Sequence, residues 1–232
     1  MRRAETATEE MDRQDCDPVL LWRTYQQFPL VNAVVSGWRG VYRELIRPVL
    51  ATAGASTILD IGCGGGDITR ALARRAGADG FDVKVTGIDP DPRAYRFAAR
   101  HSAGRDDARV SFEAANSSDL VAAGRRFDVV VSNHVLHHLS PHELELLLAD
   151  TEQLTRGVAI HADLRRSRAA SLLFGAATLP LAGTSFIRRD GLTSIRRSYL
   201  PEELQSVVPG RWQVQPRRPF RNLLIHRPEP LP

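Results

Sequence analysis

The segment Asp60-Ile61-Gly62-Cys63-Gly64-Gly65-Gly66-Asp67 constrains this chain more than any other. It follows a short apolar run, Thr57 to Ile61, of the kind that makes a strand buried on both faces of a parallel sheet. Glycines at 62, 64 and 66 let the backbone turn sharply and bring its N–H groups close to a ligand. From Ser56 the sequence keeps a rhythm of strand, loop and helix. Ile68 to Ala76 reads as the first helix, with Ile68, Leu72 and Ala76 on one face. Val83 to Ile88 reads as the second strand, Arg93 to His101 as the second helix and Val110 to Phe112 as the third strand. Phe127 to Ser132 makes the fourth, Pro141 to Leu154 a helix with proline in its first turn, and Val158 to His161 the fifth. Such alternation predicts a doubly wound α/β domain with right-handed crossovers.

Two carboxylates narrow the ligand. Asp60 directly precedes the first glycine, where a diphosphate would be repelled and a cation welcomed. Asp89 closes the second strand, Val85-Thr86-Gly87-Ile88-Asp89, about 20 residues beyond the glycines, where a carboxylate accepts both ribose hydroxyls. A turn needed only for packing requires neither acid. S-adenosylmethionine, with a sulfonium and an ammonium, suits this pattern.

On Leu59-Asp60-Ile61-Gly62-Cys63-Gly64-Gly65-Gly66, Gly87-Ile88-Asp89, and Phe127-Asp128-Val129-Val130-Val131-Ser132-Asn133 with Leu136-His137-His138-Leu139, the chain resembles the class I S-adenosylmethionine-dependent methyltransferases, and its segment Asp190 to Tyr199 resembles small-molecule enzymes of the quinone and polyketide type. The resemblance covers roughly residues 56 to 162. It implies a Rossmann-like, mainly parallel seven-stranded sheet whose last strand is antiparallel, with helical cap elements. It also implies that Asp60, Gly62, Cys63 and Gly64 flank the methionyl part of S-adenosylmethionine (S-adenosylhomocysteine after transfer), with Asp89 and Pro90 at the ribose and Asn133 at the cofactor's edge. The family often holds the adenine amino group with an aspartate after the third strand. Here Asn116, beside Ser117, stands there, and an amide oxygen can accept the same bond.

Methyl transfer is an in-line displacement at an activated carbon, so alignment and exclusion of water do most of the work. A hydroxyl acceptor also benefits from a base, and histidine is suited to that role. His134, His137 and His138 follow the fourth strand, at the edge where such sheets bind ligands. His137 and His138 are candidate bases, and His134 is expected to line the acceptor pocket. His161, with Asp163 as its orienter, is a further candidate base. Each could instead pack or cap a helix. Arg196 or Arg197 is expected to meet a polar or anionic acceptor group, although arginine pairs are more often solvated faces. Trp22, Tyr25, Phe28, Trp38 and Tyr42 are five of fifteen aromatics. They either staple helices to the core or lid the pocket, with Tyr25 as the candidate acceptor contact.

Residues 1–17 are polar and read as a loose tail. Residues 18–50 form an N-terminal helical cap, broken near Pro29 and Gly37 to Gly40 and stopped at Pro48. The cofactor-binding core spans 51–164, a substrate-cap insertion 165–200, and a helix (Pro201 to Val207) with a terminal hairpin 201–232. The net charge of +4 invites a nucleic-acid reading. Lys84 is the only lysine, however, which points to arginine-rich codon usage rather than a phosphate-binding face, so a nucleic-acid partner is not expected. Cys16 and Cys63 make neither a disulfide framework nor a metal-ligand spacing, and no metal is expected. No apolar run reaches membrane-span length and no signal peptide is evident, so the expectation is a cytoplasmic enzyme. The expected reaction is methyl transfer to a small acceptor, an oxygen of a phenolic, enolic, polyketide- or quinone-like metabolite of secondary metabolism. The rivals are an RNA or protein methyltransferase, a nicotinamide-dependent oxidoreductase using the same turn, and a catalytically silent cofactor-binding protein.

Overall fold

The computed structural model describes residues 1–52, 55–102 and 108–229. Its centre is a seven-stranded sheet of order β3-β2-β1-β4-β5-β7-β6. The strands are β1 (Ala55–Ile61), β2 (Asp82–Ile88), β3 (Val110–Glu113), β4 (Phe127–Asn133), β5 (Thr155–Leu164), β6 (Gln213–Arg217) and β7 (Arg221–His226). β1 to β5 are parallel, and β7 lies antiparallel between β5 and β6.

Helices cover both faces because the central strands are apolar on both. Ile58, Val129, Val131 and Ile225 pack into one layer with Ile46, Leu50 and Leu72. Their neighbours Leu59, Val130 and Leu224 pack into the other with Leu144, Leu148, Leu204 and Trp212. The alternation of side chains along a strand divides a continuous apolar run between two cores in this way.

The first layer carries α2 (Trp38–Val41), a π-helical turn (Tyr42–Ile46), α3 (Arg47–Leu50), α4 (Asp67–Ala78) and α5 (Pro92–Ser102), with α1 (Pro18–Val35) packed over α4 and α5. The other carries α6 (Ser117–Ala122), α7 (Pro141–Leu154) and α10 (Pro201–Val207). The 165–200 segment contains two helices, α8 (Arg168–Ala177) and α9 (Ile187–Arg197).

Three local expectations are corrected. α1 runs through Pro29 without ending. Leu21 and Tyr25 bury against Phe97 and Phe186 in the turns before the missing N–H, so tertiary packing offsets the lost hydrogen bond. The other expected break, at Gly37 to Gly40, does occur: Gly37 has a φ of 63°, which suits glycine. Pro48 does not stop the chain either, because it occupies the first turn of α3, where no N–H is needed.

Residues 1–17 do not hang loose. Ala4 N–H donates to the Arg196 carbonyl at 3.0 Å, and the Arg3 guanidinium to the Arg197 carbonyl at 2.7 Å. Glu10 and Met11 N–H groups donate to Asp190 at 2.8 and 3.0 Å. Backbone polar groups, invisible to hydropathy, fix this segment across α9.

Candidate functional site

The carboxyl ends of β1, β2, β4 and β5 open into a cavity of about 1000 Å³, roofed by α1, α8, α9 and the N-terminal segment. On one side the glycine loop shapes its floor. Gly62 has φ 66°, and an added Cβ would lie 2.7 Å from Val135 Cγ2. Gly64 has φ 53° with nothing within 4 Å of its Cβ position, so that space belongs to the cavity.

Asp60 is 1% exposed. Its Oδ2 accepts a 2.6 Å bond from the Thr69 hydroxyl, while Oδ1 has no partner. Burial pushes its pKa up to about 7, with Asp67 and Asp89 adding to the rise. Asp67 and Asp89 are also raised, again chiefly by burial. Each Asp89 oxygen accepts one backbone N–H, from Gly64 at 2.8 Å and from Asp91 at 2.9 Å. One further acceptor position remains on each oxygen.

Asp60, Gly62, Cys63, Gly64, Asp89 and Pro90 all line this side of the cavity, as do Asn116, Ser117 and Asn133. The Asn116 N–H donates to Asp119 at the start of α6, and the Ser117 hydroxyl to Asp150 at 2.7 Å. Asn133 Oδ1 accepts from the Trp38 indole at 2.9 Å. The Cys63 thiol is raised well above its ordinary value by burial and stays protonated. Tyr25 both staples and lines: its ring lies 5.1 Å from Phe97, and it borders the cavity with Phe28.

The opposite wall is built on the turn Leu136–His138. His134 lines it with φ 61°, a left-handed conformation that costs energy for a side-chain-bearing residue. Burial holds its pKa down near 4, leaving it neutral. His137 donates Nδ1–H to Asp163 at 2.7 Å, and its Nε2 lies 3.3 Å from Glu9 Oε1. Burial opposes charge on this ring, but Asp163 and Glu9 outweigh it and raise the pKa to about 9. His138 donates Nδ1–H to Asp12 at 3.1 Å and is the more accessible of the two rings.

Three sequence-selected residues fall outside this wall. His161 is fully buried behind it, 2.7 Å from the Ser132 hydroxyl and stacked on Trp212. Asp163, expected to orient His161, bonds His137 instead. Arg196 is exposed on α9 away from the cavity. Arg197 is buried and does not line it; its guanidinium donates to the His137 and His138 carbonyls, both at 3.1 Å.

The wall also contains residues that no sequence pattern singled out. Glu9 and Asp12 arrive from the N-terminal segment, with Glu9 accepting from the Ser194 hydroxyl at 2.8 Å. Nothing in that polar, aperiodic stretch signals burial. Arg165 lines the cavity beside Phe220. Its guanidinium takes part in none of the hydrogen bonds or ion pairs among the described residues. Its one visible signal is the arginine pair, whose other member, Arg166, is buried against the Ser198 carbonyl.

Residues 58–157 match a family described as a methyltransferase domain. A ubiquinone biosynthesis O-methyltransferase of Mesorhizobium japonicum is 30% identical over 158 residues, covering 66% of this chain and 57% of that protein. The corresponding Methylobacterium protein is 39% identical over 84 residues, covering 36% and 31%. The chain thus matches about a third to three fifths of the length of these curated relatives. Among solved structures, human N-acetylserotonin methyltransferase in complex with S-adenosylmethionine superposes with a TM-score of 0.61 at 14% identity, covering 89% of this chain and 55% of that one. Magnesium protoporphyrin IX methyltransferase from Synechocystis, also with bound S-adenosylmethionine, gives 0.54 at 14% identity, covering 95% and 97%. With a sheet of the expected order and an acid-headed glycine turn at its carboxyl edge, the chain carries a methyltransferase domain over residues 58–157 and has the fold of the S-adenosylmethionine-dependent methyltransferases.

Proposed function

We propose that this protein transfers the methyl group of S-adenosylmethionine to an oxygen of a small phenolic or enolic acceptor of polyketide- or quinone-like character. The observation that carries the reading is the buried, half-unpartnered Asp60 within a cluster of three acids around the glycine turn. A carboxylate cluster of this kind is costly unless a cation enters it. A dinucleotide's diphosphate would raise that cost, which disfavours an oxidoreductase. The methionyl ammonium and the sulfonium would relieve it.

The residues fit the cofactor on further grounds. Asp89 has two acceptor positions free for ribose hydroxyls, held by the Gly64 and Asp91 amides. The empty space beyond Gly64 admits a ligand where a Cβ would stand. When bound, the sulfonium supplies an activated methyl group.

The chain's own residues then align the acceptor and handle its proton. His137, flanked by Asp163 and Glu9, holds its proton at neutral pH and so orients rather than abstracts. His134 stays neutral and can hydrogen-bond the acceptor oxygen. His138, reachable from the cavity and oriented by Asp12, receives the hydroxyl proton. Arg197 acts from behind as a positioning residue by fixing both histidine carbonyls. Arg165, rather than Arg196 or Arg197, is the cation placed to meet an anionic acceptor group. Exposed Val34, Leu146 and Leu173 at the cavity's edge suit an apolar acceptor body.

The test is calorimetry with S-adenosylhomocysteine and NAD(P)H, followed by a labelled-methyl screen of phenols, pyrones and quinols. Affinity for the thioether and label in an ether product are expected. Uptake of NAD(P)H without affinity for the thioether would remove the proposal.

A further inference from the structure

Glu9, His137 and His138 each present a ligand atom within 4.8 Å of the other two. Both imidazoles donate Nδ1–H to a carboxylate, His137 to Asp163 and His138 to Asp12. That leaves both Nε2 atoms near one oxygen, Glu9 Oε1, at 3.3 and 3.8 Å. His137 is 1% exposed, and its Nε2 has no hydrogen-bond partner. Between this buried nitrogen and the carboxylate a positive charge must sit, the ring's second proton in the metal-free protein or a metal ion in its place.

We propose that Glu9, His137 and His138 bind one divalent transition-metal ion on the acceptor side of the cavity. Two imidazoles and a carboxylate are the donors such ions prefer over hard oxygen cages. Bonds of about 2.0–2.1 Å around a tetrahedral ion set ligand atoms about 3.3 Å apart, close to the distances found here. The surroundings match as well. A carboxylate on the far nitrogen of a ligating histidine fixes its tautomer and raises its basicity, and both rings have one. Glu9 is held in place by the Ser194 hydroxyl, and its segment by the Glu10 and Met11 amides on Asp190. Arg197 clamps the histidine backbone. Three protein ligands leave coordination positions open toward the cavity.

The consequence for chemistry rests on the methyl-transfer reading above, while the site itself does not. An acceptor oxygen bound to the ion would lose its proton more readily, that proton leaving to solvent. In the loaded protein this replaces proton transfer to His138.

The experiment is titration of chelator-stripped protein with Co²⁺, followed by ligand-field absorption, and with Zn²⁺ by calorimetry. One equivalent is expected, with affinity weakened at least about tenfold in Glu9→Gln and in His138→Asn. Glu9→Gln keeps an oxygen for Ser194, and circular dichroism verifies the fold of both variants. His142→Gln, on the exposed start of α7, is the control for surface binding and should leave uptake unchanged. No stoichiometric uptake by folded wild-type protein would overturn the proposal, as would uptake insensitive to both substitutions. S-adenosylhomocysteine affinity is measured on the same samples. Metal uptake without it would sustain this site and remove the methyl-transfer reading; thioether affinity without metal uptake would do the reverse.

Discussion

Replacing Asp60 by asparagine should make the ligand-free protein more stable and a worse receptor for its cofactor. Burial raises this carboxyl from 3.8 to about 7. Between those values the native state holds a proton that the unfolded chain has released, so native stability falls as pH rises. The loss is complete once pH passes about 7, and a displacement of this size corresponds to about 4 kcal/mol. Asparagine keeps an oxygen for the Thr69 hydroxyl and never ionises. Urea unfolding of both proteins at pH 5 and pH 8 measures the difference. The variant should exceed wild type by up to about 4 kcal/mol at pH 8 and by less at pH 5. Affinity should move the other way. Ionised Asp60 attracts the ligand's cations, so wild-type binding tightens with rising pH. The variant should bind S-adenosylmethionine about 10- to 100-fold more weakly, corresponding to one charge-assisted hydrogen bond of about 1.5–3 kcal/mol. If the variant is no more stable at pH 8 and binds the sulfonium equally well, Asp60 is not an unrelieved buried charge and the site's electrostatic rationale is wrong.

Asp89→Asn must turn an NH₂ toward either the Gly64 or the Asp91 amide, so S-adenosylhomocysteine affinity by calorimetry should drop about 100-fold; an unchanged value would clear Asp89 of ribose binding. Gly64→Ala meets no protein atom but adopts φ 53°, and should cost about 1–2 kcal/mol in unfolding while abolishing measurable cofactor binding; intact binding would mean the open space is not used. Arg165→Gln should raise KM about tenfold for an acidic acceptor and leave kcat nearly unchanged, whereas equal kinetics would remove its assigned role. His137, raised from 6.5 to about 9, contributes stability fully below pH 6.5 that is lost as pH rises through 9, about 3 kcal/mol in all; Asp163→Asn should flatten that part of the unfolding profile, and a variant profile as steep as wild type would contradict the pairing.

Features that repeat along the chain are legible in the amino-acid sequence alone. The strand at Thr57 to Ile61 and the helix at Pro141 to Leu154 each carry their own signature, an apolar run or a proline-led periodic stretch. The glycine-turn side of the cavity is legible for the same reason, since its glycines and acids lie at fixed offsets from strand ends. The opposite wall is not, because it is assembled across the chain. Glu9 enters through backbone bonds to Asp190, which no side-chain pattern announces. Direction is the second obstacle. In Arg196-Arg197 and in Arg165-Arg166, neighbouring identical residues take opposite environments: one of each pair is buried against carbonyls. Along α9 the side chains turn about 100° per residue, and Arg165-Arg166 lies in the connection between β5 and α8, which has no periodicity, so adjacency cannot say which member points inward.

The two walls of the cavity treat charge in opposite ways, which supports the proposed placement of donor and acceptor. Around the glycine turn, Asp60, Asp67 and Asp89 all have raised pKa values, chiefly through burial. Across the cavity, Glu9, Asp12 and Asp163 are lowered despite burial, because His137, His138 and Arg197 compensate them. An organic cation such as a sulfonium or an ammonium, which cannot ligate imidazole nitrogens, therefore gains at the first wall, where it relieves a cost, and gains little at the second, where the acids are already paired. An acceptor carrying a hydroxyl finds at the second wall both donors and acceptors already oriented. Asymmetry of this kind would let one cavity hold donor and acceptor head to head without exchanging their places, as in-line transfer requires.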